Sequence, residues 1–387
     1  MNTNYKETSI LNHICVITNN YPDQRFIERG SFVEKLVRDW KELNMKVDII
    51  APRSIPNVIR SLKRKKHHIK IAGDRIERPL YITVSNKKFG KCDLHEISRR
   101  SFVSSVTACT KEFQVPDLYY GKFLMSGGLA ASLAGRLHSR PAFADLGESM
   151  LLDLLNEREK VIALNLFETL NGLICVSQRL IDEVVQLGAD PDKVLYAPNT
   201  VDKFFRPMDK SKCRKKLGLP EDDFIVAFTG HFISRKGPNR VLKAINQLDL
   251  PIKGMFFGSG EEVPKGNKVL FTGAVPNRQL PEWLNAADIF VLPTLAEGHC
   301  NAINEAMACG LPIISSDIPD IRSQVPESAG ILVDPLDLNQ LALAIKTLFK
   351  DQEKRIEFQK GALYAAEIFQ NERRSMRIIN WMKNIVS

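Results

Sequence analysis

Several features that mark other classes of protein are missing from this sequence of 387 residues. Its seven cysteines are scattered, and none forms a CxxC pair or a cysteine–histidine cluster with zinc-ligand spacing. An odd, scattered set of cysteines indicates a reducing compartment rather than a disulfide framework. No apolar run approaches the ~20 residues that a membrane-spanning helix needs. We therefore expect a cytoplasmic protein without disulfide bonds, a zinc site or a transmembrane segment.

Sequence repeats and low-complexity tracts are also missing. The composition, with 44% hydrophobic and 26% charged residues, is that of a globular enzyme. A chain of this length exceeds what one ordinary hydrophobic core organises, so two domains are expected.

The positive charge is concentrated in one stretch. Residues 53–100 contain fourteen Lys and Arg against four acidic residues, a net charge of +10, whereas the rest of the chain carries −1. Such a stretch could contact an anionic membrane surface, where each basic residue contributes ~1 kcal/mol. The alternative is an ordinary solvated face or mobile loop. Nucleic acid is not expected as a partner, because the stretch has few aromatic residues to stack on bases.

Strand-like and helix-like segments alternate along the whole chain, beginning with an apolar strand at 13–18 and an amphipathic helix at 31–43. This alternation predicts parallel, doubly wound sheets, one in each half. Other predicted helices lie at 126–137, at 150–170 and, without interruption, at 351–386. The proline-containing and basic stretch 198–220 is interpreted as the linker between the halves.

The stretch from Thr294 to Asp317 is the most informative one. It predicts a loop with Glu297, a helix that begins near Asn301 and carries Glu305, a turn at Gly310 and a buried strand. A helix N-terminus attracts phosphate through its backbone N–H groups and its dipole. Carboxylates accept hydrogen bonds from sugar hydroxyls. The pattern therefore suits a phosphorylated, hydroxyl-rich ligand.

A second loop has the position of a phosphate site. Residues 230–238 follow the first strand of the second half and precede its helix. Lys236 supplies a point charge there, and Arg235 a fork of donors for phosphate oxygens.

These motifs resemble the retaining glycosyltransferases of family 4. The resemblance is carried by FTGHFISRKG at 228–237, FFGSGEE at 256–262, VLFTGAV at 269–275, NAADIFVLPTLAEG at 285–298, NEAMACGLPII at 304–314 and AGILVDP at 329–335. It covers the second half strongly and the first half weakly. It implies the GT-B fold, an α/β fold with two facing Rossmann-like domains, an interdomain cleft and a C-terminal helix that crosses back to the N-terminal domain. The expected domains are an acceptor-binding domain of residues 1–200 with helix 370–387, and a nucleotide-sugar-binding domain of residues 201–369.

The resemblance also implies roles for individual residues. Glu297 would hold the hydroxyls of the donor sugar near the reacting carbon, and Glu305 would bind the nucleoside ribose. Lys236, together with Arg235, would bind the donor diphosphate. Further donor contacts are implied for the backbone of His299, Cys300 and Asn301 at the diphosphate, for Val275 beside the base and for Gly30 near donor phosphate and acceptor.

The sequence departs from the family pattern in places. His231 stands where the family commonly has arginine, and Glu297 is followed by Gly-His-Cys instead of Gly-Phe-Gly. The family's His-Gly-Ser/Thr-Asp segment is replaced by Ala-Asp-Leu-Gly-Glu-Ser at 144–149, so its histidine is absent. Glu148, with Asp145 as second choice, is then the candidate that faces the acceptor or the donor sugar. Alternatively, Glu148 is a helix N-terminal carboxylate that interacts with the dipole.

The implied reaction moves a sugar from a nucleoside diphosphate sugar, expected to be UDP-linked, to a saccharide or lipid-linked acceptor of cell-surface polysaccharide synthesis. It retains the anomeric configuration and uses no metal and no other cofactor. The protein would work in the cytoplasm, with or without peripheral attachment to the inner face of the cell membrane. Two alternatives remain: a non-catalytic partner of another transferase, motivated by the absent histidine and by His231, and a sugar-nucleotide epimerase.

Overall fold

A computed structural model describes residues 11–25, 29–62, 71–84, 88–89, 92–371 and 374–387. The chain forms two compact units, here called the first and the second domain. The first domain combines Met1–Ala197 with Arg373–Ser387, and the second is Pro198–Glu372. Both boundaries lie three residues from those expected from the sequence.

The first domain is built on a seven-stranded parallel sheet with the order β11-β10-β9-β8-β1-β2-β4. Its central strands are buried along their whole length and mostly apolar, as is expected for a parallel sheet covered on both faces. The strands described in this domain are β1 (His13–Ile17), β2 (Lys46–Ile50), β3 (Arg53–Ser54), β4 (Arg75–Glu77), β5 (Leu80–Tyr81), β6 (Lys88–Phe89), β7 (Cys92–Asp93), β8 (Leu118–Lys122), β9 (Ala142–Leu146), β10 (Gly172–Cys175) and β11 (Val194–Tyr196).

Helices connect these strands, and the C-terminal helix also packs on them. Trp381 of the C-terminal helix lies against Phe143 with ring centroids 5.6 Å apart, and Trp40 donates a hydrogen bond to the Ser375 carbonyl. The predicted return of this helix to the first domain is thus confirmed. The helices described are α1 (Ser31–Glu42), α2 (Ile55–Ser61), α3 (Leu94–Thr110), α4 (Leu129–His138), α5 (Leu151–Leu154), α6 (Glu157–Thr169), α7 (Gln178–Gln186) and, at the C-terminus, α15 (Arg374–Val386), with a π-helix at Phe123–Gly128 and a 3₁₀ turn at Pro191–Lys193.

Two of the helix predictions for this domain need correction. The single helix expected at 150–170 is interrupted, because Asn156 and Glu159 form a capping box that starts a new helix at Glu157. The helix expected at 126–137 is preceded by the π-helix, which begins at Phe123 with a positive φ of 66°.

The second domain has a six-stranded parallel sheet with the order β14-β13-β12-β15-β16-β17. Its strands are β12 (Phe224–Thr229), β13 (Ile252–Phe257), β14 (Val269–Gly273), β15 (Ile289–Leu292), β16 (Ile313–Ser316) and β17 (Gly330–Val333). Its helices are α8 (Lys210–Leu217), α9 (Pro238–Asn246), α10 (Leu280–Asn285), α11 (Asn301–Ala308), α12 (Pro319–Arg322), α13 (Leu338–Lys350) and α14 (Gln352–Asn371). Both domains are thus Rossmann-like, which confirms the predicted α/β fold class.

The interpretation of 198–220 as a linker is wrong. These residues belong to the second domain, where Lys210–Leu217 form α8 with Asp209 as N-cap. Arg214 is buried, donates to the Asp288 carboxylate at 2.7 Å and also bonds the Ala286 carbonyl at 2.9 Å. These buried hydrogen bonds of Arg214 fix α8 to the rest of the second domain, although the basic composition of 198–220 is more typical of an exposed segment.

Half of the lysine and arginine residues in the stretch 53–100 belong to the described part of the chain. The others lie outside the described residues: Lys63, Arg64, Lys65, Lys66, Lys70, Lys87 and Lys91. Among the helices that are described, none is both long and apolar enough to cross a membrane.

Candidate donor and acceptor sites

The loops after β12 and β15 bring Lys236 and Glu297 together. These strands are neighbours in the sheet, so the loops at their carboxyl ends meet. The Lys236 ammonium donates a hydrogen bond to Glu297 Oε1, and both side chains are largely buried, with 13% and 7% exposure. Arg235 Nη1 lies 4.0 Å from the same oxygen and donates to the Ala296 carbonyl. The three residues assigned to the donor sugar and diphosphate therefore form one cluster.

Helix α11 begins at Asn301, as predicted, and Gly310 adopts the left-handed conformation (φ 79°) that was expected to end it. Its first turn contains a contact that the sequence did not reveal. The backbone N–H of Cys300 donates to Gln324 Oε1 at 2.8 Å, and Cys300 is buried. His299 Nε2 lies 2.8 Å from Asn304 Nδ2. The N–H of Cys300, implied as a diphosphate contact, is thus already bonded within the protein.

Glu305 lies on α11 and is reached by the loop that follows β14. Asn277 Nδ2 donates to Glu305 Oε1 at 3.3 Å, and Val275, two residues before Asn277, is partly buried against the core. Burial raises the pKa of the Glu305 carboxyl to about 8, because the Asn277 hydrogen bond only partly offsets the loss of solvent and Asp202 adds negative charge nearby. The residues assigned to ribose and base are therefore neighbours.

Two of the sequence-predicted residues, Gly30 and Glu148, belong to the first domain. Gly30 is the N-cap of α1 and has a φ of 62°. A Cβ atom there would meet the Asn20 carbonyl oxygen at 2.0 Å, so the tight turn after β1 requires glycine.

Glu148 is held by backbone donors. Its Oε1 accepts from the N–H of Leu124 at 2.6 Å, and its Oε2 accepts from the N–H of Gly147 at 2.9 Å. The first donor lies in the first turn of the π-helix after β8. Glu148 is thus a carboxylate at a helix N-terminus, as the alternative interpretation had it, although this helix precedes Glu148 in the chain. Burial raises the pKa of the Glu148 carboxyl, which these hydrogen bonds and Lys122 counteract.

A buried ionic network lies beside Glu148, and most of its members were not predicted from the sequence. Asp145 accepts hydrogen bonds from Tyr120 at 2.5 Å, from Lys122 at 2.6 Å and from Arg374 at 2.8 Å, and it has no exposed surface. Burial acts to raise the pKa of Asp145, but Arg374 and Lys122 together hold it below its ordinary value. Asp145, the second choice for the acceptor site, is thus a structural counter-ion. Lys122 could have been predicted to belong to a buried ion pair, since a lysine at the end of an apolar strand needs an acidic partner.

A cavity of about 440 Å³ opens in the first domain next to Glu148. Its apolar walls include Phe102, Phe123 and Leu155, and Glu148 and Ser126 supply polar atoms. At another side, Glu159 accepts hydrogen bonds from Arg99 at 3.1 Å. An apolar cavity with a few fixed polar groups is the usual form of a small-molecule site. In the described part of the chain, no three His, Cys, Asp or Glu side chains are grouped so as to hold a metal ion.

Comparison with known proteins finds a family model that matches most of the second domain. Residues 209–363 match the family model described as "Glycosyl transferases group 1". This part of the chain is similar to the group 1 glycosyltransferases. It contains all the sequence-predicted site residues of the second domain, from Arg235 to Glu305.

Relatives with assigned roles support the same family. The protein TuaC of Bacillus subtilis (strain 168), assigned to teichuronic acid biosynthesis as a glycosyltransferase, is 29% identical over 351 residues, which is 86% of this chain and 88% of TuaC. D-inositol 3-phosphate glycosyltransferase 1 of Catenulispora acidiphila is 29% identical over 231 residues, 51% of this chain and 55% of that protein. The chain thus matches only about half of the latter relative.

Solved structures of GT-B proteins share the fold over nearly the whole chain. The sucrose-phosphate synthase of Thermosynechococcus elongatus has a TM-score of 0.77 at 19% identity, with 97% of this chain and 99% of that chain covered. Anabaena HepE in complex with UDP-glucose has a TM-score of 0.71 at 18% identity, with 96% of this chain and 99% of that chain covered. The GT-B fold predicted from the sequence is confirmed.

Proposed function

We propose that this chain is a group 1 glycosyltransferase and a retaining enzyme of family 4. It transfers a sugar from a UDP-linked donor to a saccharide or lipid-linked acceptor, in the cytoplasm and without a metal ion or other cofactor. The observation that carries the proposal is the arrangement in the second domain, where Lys236, Glu297 and Glu305 lie on neighbouring elements around the first turn of α11.

Each of these groups suits one part of a nucleoside diphosphate sugar. Glu305, with Asn277 beside it, presents carboxylate oxygens to the ribose hydroxyls. Lys236 and Arg235 offset the negative charge that develops on the diphosphate when the bond to the anomeric carbon breaks and the diphosphate leaves with the electron pair. Glu297, already adjacent to Lys236, would accept hydrogen bonds from the sugar next to that bond. Positive charge on these side chains takes the part that a metal ion plays in other transferases.

The first domain offers a place for the acceptor. Glu148 lies at the edge of the 440 Å³ cavity and is fixed by two backbone donors. In the transfer, the acceptor hydroxyl oxygen bonds to the anomeric carbon on the face that the diphosphate leaves, and the hydroxyl proton passes to an oxygen of the departing diphosphate. We assign Glu148 to the orientation of this hydroxyl. The second carboxylate candidate, Asp145, is excluded by its three buried hydrogen bonds.

Relatives support the UDP donor and the polysaccharide product. TuaC, which aligns along most of this chain, is assigned to teichuronic acid biosynthesis, and HepE has been solved with UDP-glucose. The implied product is therefore a cell-surface polysaccharide.

The experiment has two steps. A thermal-shift screen of uridine, guanosine and adenosine diphosphate sugars first identifies the donor, because a ligand at 100 times its Kd stabilises the folded state by ~2.7 kcal/mol. Transfer with that donor is then measured, and the anomeric configuration of the product is read by NMR. We expect stabilisation by a UDP-sugar, a retained configuration, and activity in the presence of EDTA.

Lys243→Ala is a matched control for Lys236→Ala, since Lys243 is an exposed lysine in the same domain. We expect binding to be lost only with Lys236→Ala. Inversion at the anomeric carbon would disprove the retaining mechanism. Failure of every nucleotide to bind would instead favour the non-catalytic partner.

An epimerase remains the other candidate on this fold. It would need no acceptor, so the cavity beside Glu148 favours a transferase. Conversion of the donor sugar in the absence of acceptor would identify an epimerase.

A further inference from the structure

Arg240, in the first turn of α9, bonds to two separate loops of the second domain. We call residues 230–237 the lysine loop and residues 293–300 the glutamate loop. The guanidinium donates hydrogen bonds to three backbone carbonyls, those of Ser234 at 2.7 Å, Arg235 at 3.3 Å and Pro293 at 2.6 Å. The first two carbonyls belong to the lysine loop and the third to the glutamate loop, so one side chain joins the two.

These bonds lie next to the donor cluster in both loops. The backbone N–H of Leu295 also donates to the Arg235 carbonyl at 2.8 Å, so this carbonyl accepts from the glutamate loop and from Arg240. Lys236 directly follows Arg235, and Glu297 lies two residues after Leu295. The relative position of the two loops therefore decides whether the Lys236 ammonium reaches the Glu297 carboxylate.

Gly237 leaves the space that the Arg240 side chain occupies. It is the N-cap of α9 and has a φ of 73°, in the left-handed region that favours glycine. A Cβ atom at this position would lie 2.5 Å from Nη2 of Arg240. The turn after Lys236 thus lets the guanidinium lie directly against the backbone of the lysine loop.

Stability alone explains Arg240 poorly. In the described part of the chain its side chain makes no ion pair, and its Nε is buried without a hydrogen-bond partner. Burial lowers the pKa of Arg240, which the charge of Glu262 only partly counteracts. A buried charge without a carboxylate partner costs free energy. Arg214, by contrast, fixes α8 through the Asp288 carboxylate.

A guanidinium suits the joining of two loops. It presents five N–H donors in one rigid plane, whereas a lysine ammonium is a point charge on a flexible stem. We propose that Arg240 is a positioning residue of the donor site, which holds the lysine loop and the glutamate loop so that Lys236 and Glu297 meet the diphosphate and the sugar of one donor molecule. This inference rests on the proposed function, because the donor roles of Lys236 and Glu297 belong to it.

Hydrogen exchange of the full chain, read by mass spectrometry without any nucleotide, tests whether Arg240 holds the loops. R240M keeps an unbranched side chain but removes all three bonds, so peptides from both loops should exchange about fivefold faster or more, because they open more often. Arg355 provides the matched control, since its Nη1 also donates to two backbone carbonyls of the second domain, those of Leu348 and Phe349. R355M should leave exchange in both loops unchanged.

Calorimetry with UDP, well below the melting temperature, tests the role in the donor site. R240M should raise the Kd by about tenfold, whereas R355M should not change it. Because Arg240 acts through Lys236, K236A/R240M should bind UDP about as weakly as K236A alone. A merely structural effect of R240M would add to that of K236A, since independent effects are additive.

R240K keeps the charge without the planar fork of donors, and it also serves if R240M does not fold. It should exchange faster than the wild type in both loops and bind UDP more weakly, with smaller changes than R240M. Wild-type exchange and wild-type affinity in R240K would show that the bonds to the two loops do not matter, and would overturn the proposal.

The remaining outcomes separate this inference from the proposed function. Unchanged exchange in R240M, faster loop exchange in R355M to the same extent, or additive effects of R240M and K236A would overturn the role of Arg240 while UDP binding by the wild type leaves the proposed function intact. Failure of the wild type to bind UDP would instead contradict the proposed function, and the donor role of Arg240 with it.

Discussion

The Glu297 carboxylate accepts a hydrogen bond from the Lys236 ammonium in the second domain, so the two groups assigned to the donor sugar and to its diphosphate are paired with each other. A diphosphate that binds Lys236 must compete with this carboxylate. The pair keeps two largely buried charges compensated before the donor arrives.

We therefore expect Glu297→Gln to separate binding from turnover. The variant frees Lys236, so UDP, which has no sugar, should bind a few times more tightly. Turnover should fall by about 10²-fold or more, because the donor sugar loses the carboxylate that accepts its hydrogen bonds. Calorimetry with UDP and a transfer assay measure the two effects.

Glu282→Gln is the control, because Glu282 is paired with the exposed Lys216 in the same domain and should affect neither quantity. Lys236→Ala should act in the opposite direction on UDP, raising its Kd by about tenfold or more through loss of a charge-assisted hydrogen bond. Weaker UDP binding by Glu297→Gln would show that the carboxylate does not compete with the diphosphate.

Glu305 should make donor binding depend on pH. Burial raises the pKa of its carboxyl from the ordinary 4.5 to about 8, so the group is largely protonated at pH 7. Only the ionised form accepts hydrogen bonds from two ribose hydroxyls with both oxygens. UDP-glucose binding should therefore strengthen between pH 7 and 9, and calorimetry should show this rise in the wild type but not in Glu305→Gln.

The same shift affects stability with a definite sign. Between pH 4.5 and about 8 the folded protein binds more protons at Glu305 than the unfolded chain does, so this group makes the free energy of unfolding fall as the pH rises. Glu305→Gln should flatten that part of the pH profile of urea unfolding. An unchanged profile would mean that Glu305 has an ordinary pKa.

The local structure around the candidate site of the second domain could be predicted from the sequence because its signals are local. The loop with Glu297, the helix start at Asn301 and the turn at Gly310 all lie within one short stretch, and each reflects a preference of its own residue type. The strands are continuous apolar runs, which is how fully covered parallel strands appear in a sequence.

The parts that were missed depend on contacts distant in sequence. Lys122 and Arg374 bond to Asp145 across 23 and 229 residues, and Gln324 reaches Cys300 across 24. No periodicity or propensity encodes such pairs. Helix α8 was missed for a similar reason: its basic residues indicated solvent, while Arg214 is in fact buried against Asp288.

The Asp145 network should be essential for the stability of the first domain. Asp145→Asn leaves Lys122 and Arg374 buried without their counter-ion, and breaking a buried pair in this way costs roughly 3–5 kcal/mol. Tryptophan fluorescence in a Trp283→Phe background reports the first domain alone, since Trp40 and Trp381 then remain. Urea unfolding in that background measures the loss.

Asp48→Asn is the matched control, because Asp48 is a buried carboxylate in the same sheet whose partner is His13. A histidine can lose its charge, so a smaller loss of stability is expected there. In the double variant D145N/K122M, removal of one unpaired cation should recover part of the stability. An equal effect of Asp145→Asn and Asp48→Asn would show that the two cations are not the cause.

Glu148 should affect transfer without affecting the donor. In Glu148→Gln the amide nitrogen must face one of the two backbone N–H groups of Leu124 and Gly147, so one of the present hydrogen bonds is lost and the first domain is destabilised by ~1–3 kcal/mol. If Glu148 also orients the acceptor hydroxyl, turnover should fall by about 10²-fold. The Kd for UDP-glucose should stay unchanged, because Glu148 belongs to the first domain, whereas Lys236 and Glu305, which we propose to bind the nucleotide, belong to the second.

A purely structural role predicts a different pattern, in which stability falls but turnover well below the melting temperature is preserved. Ser126→Ala provides a comparison at the wall of the same cavity, where a small polar group is removed without a buried charge. It should change turnover far less than Glu148→Gln does.

Because donor hydrolysis in the absence of acceptor does not need the acceptor hydroxyl, that reaction should survive in Glu148→Gln. Its loss together with transfer would place Glu148 at the donor sugar instead.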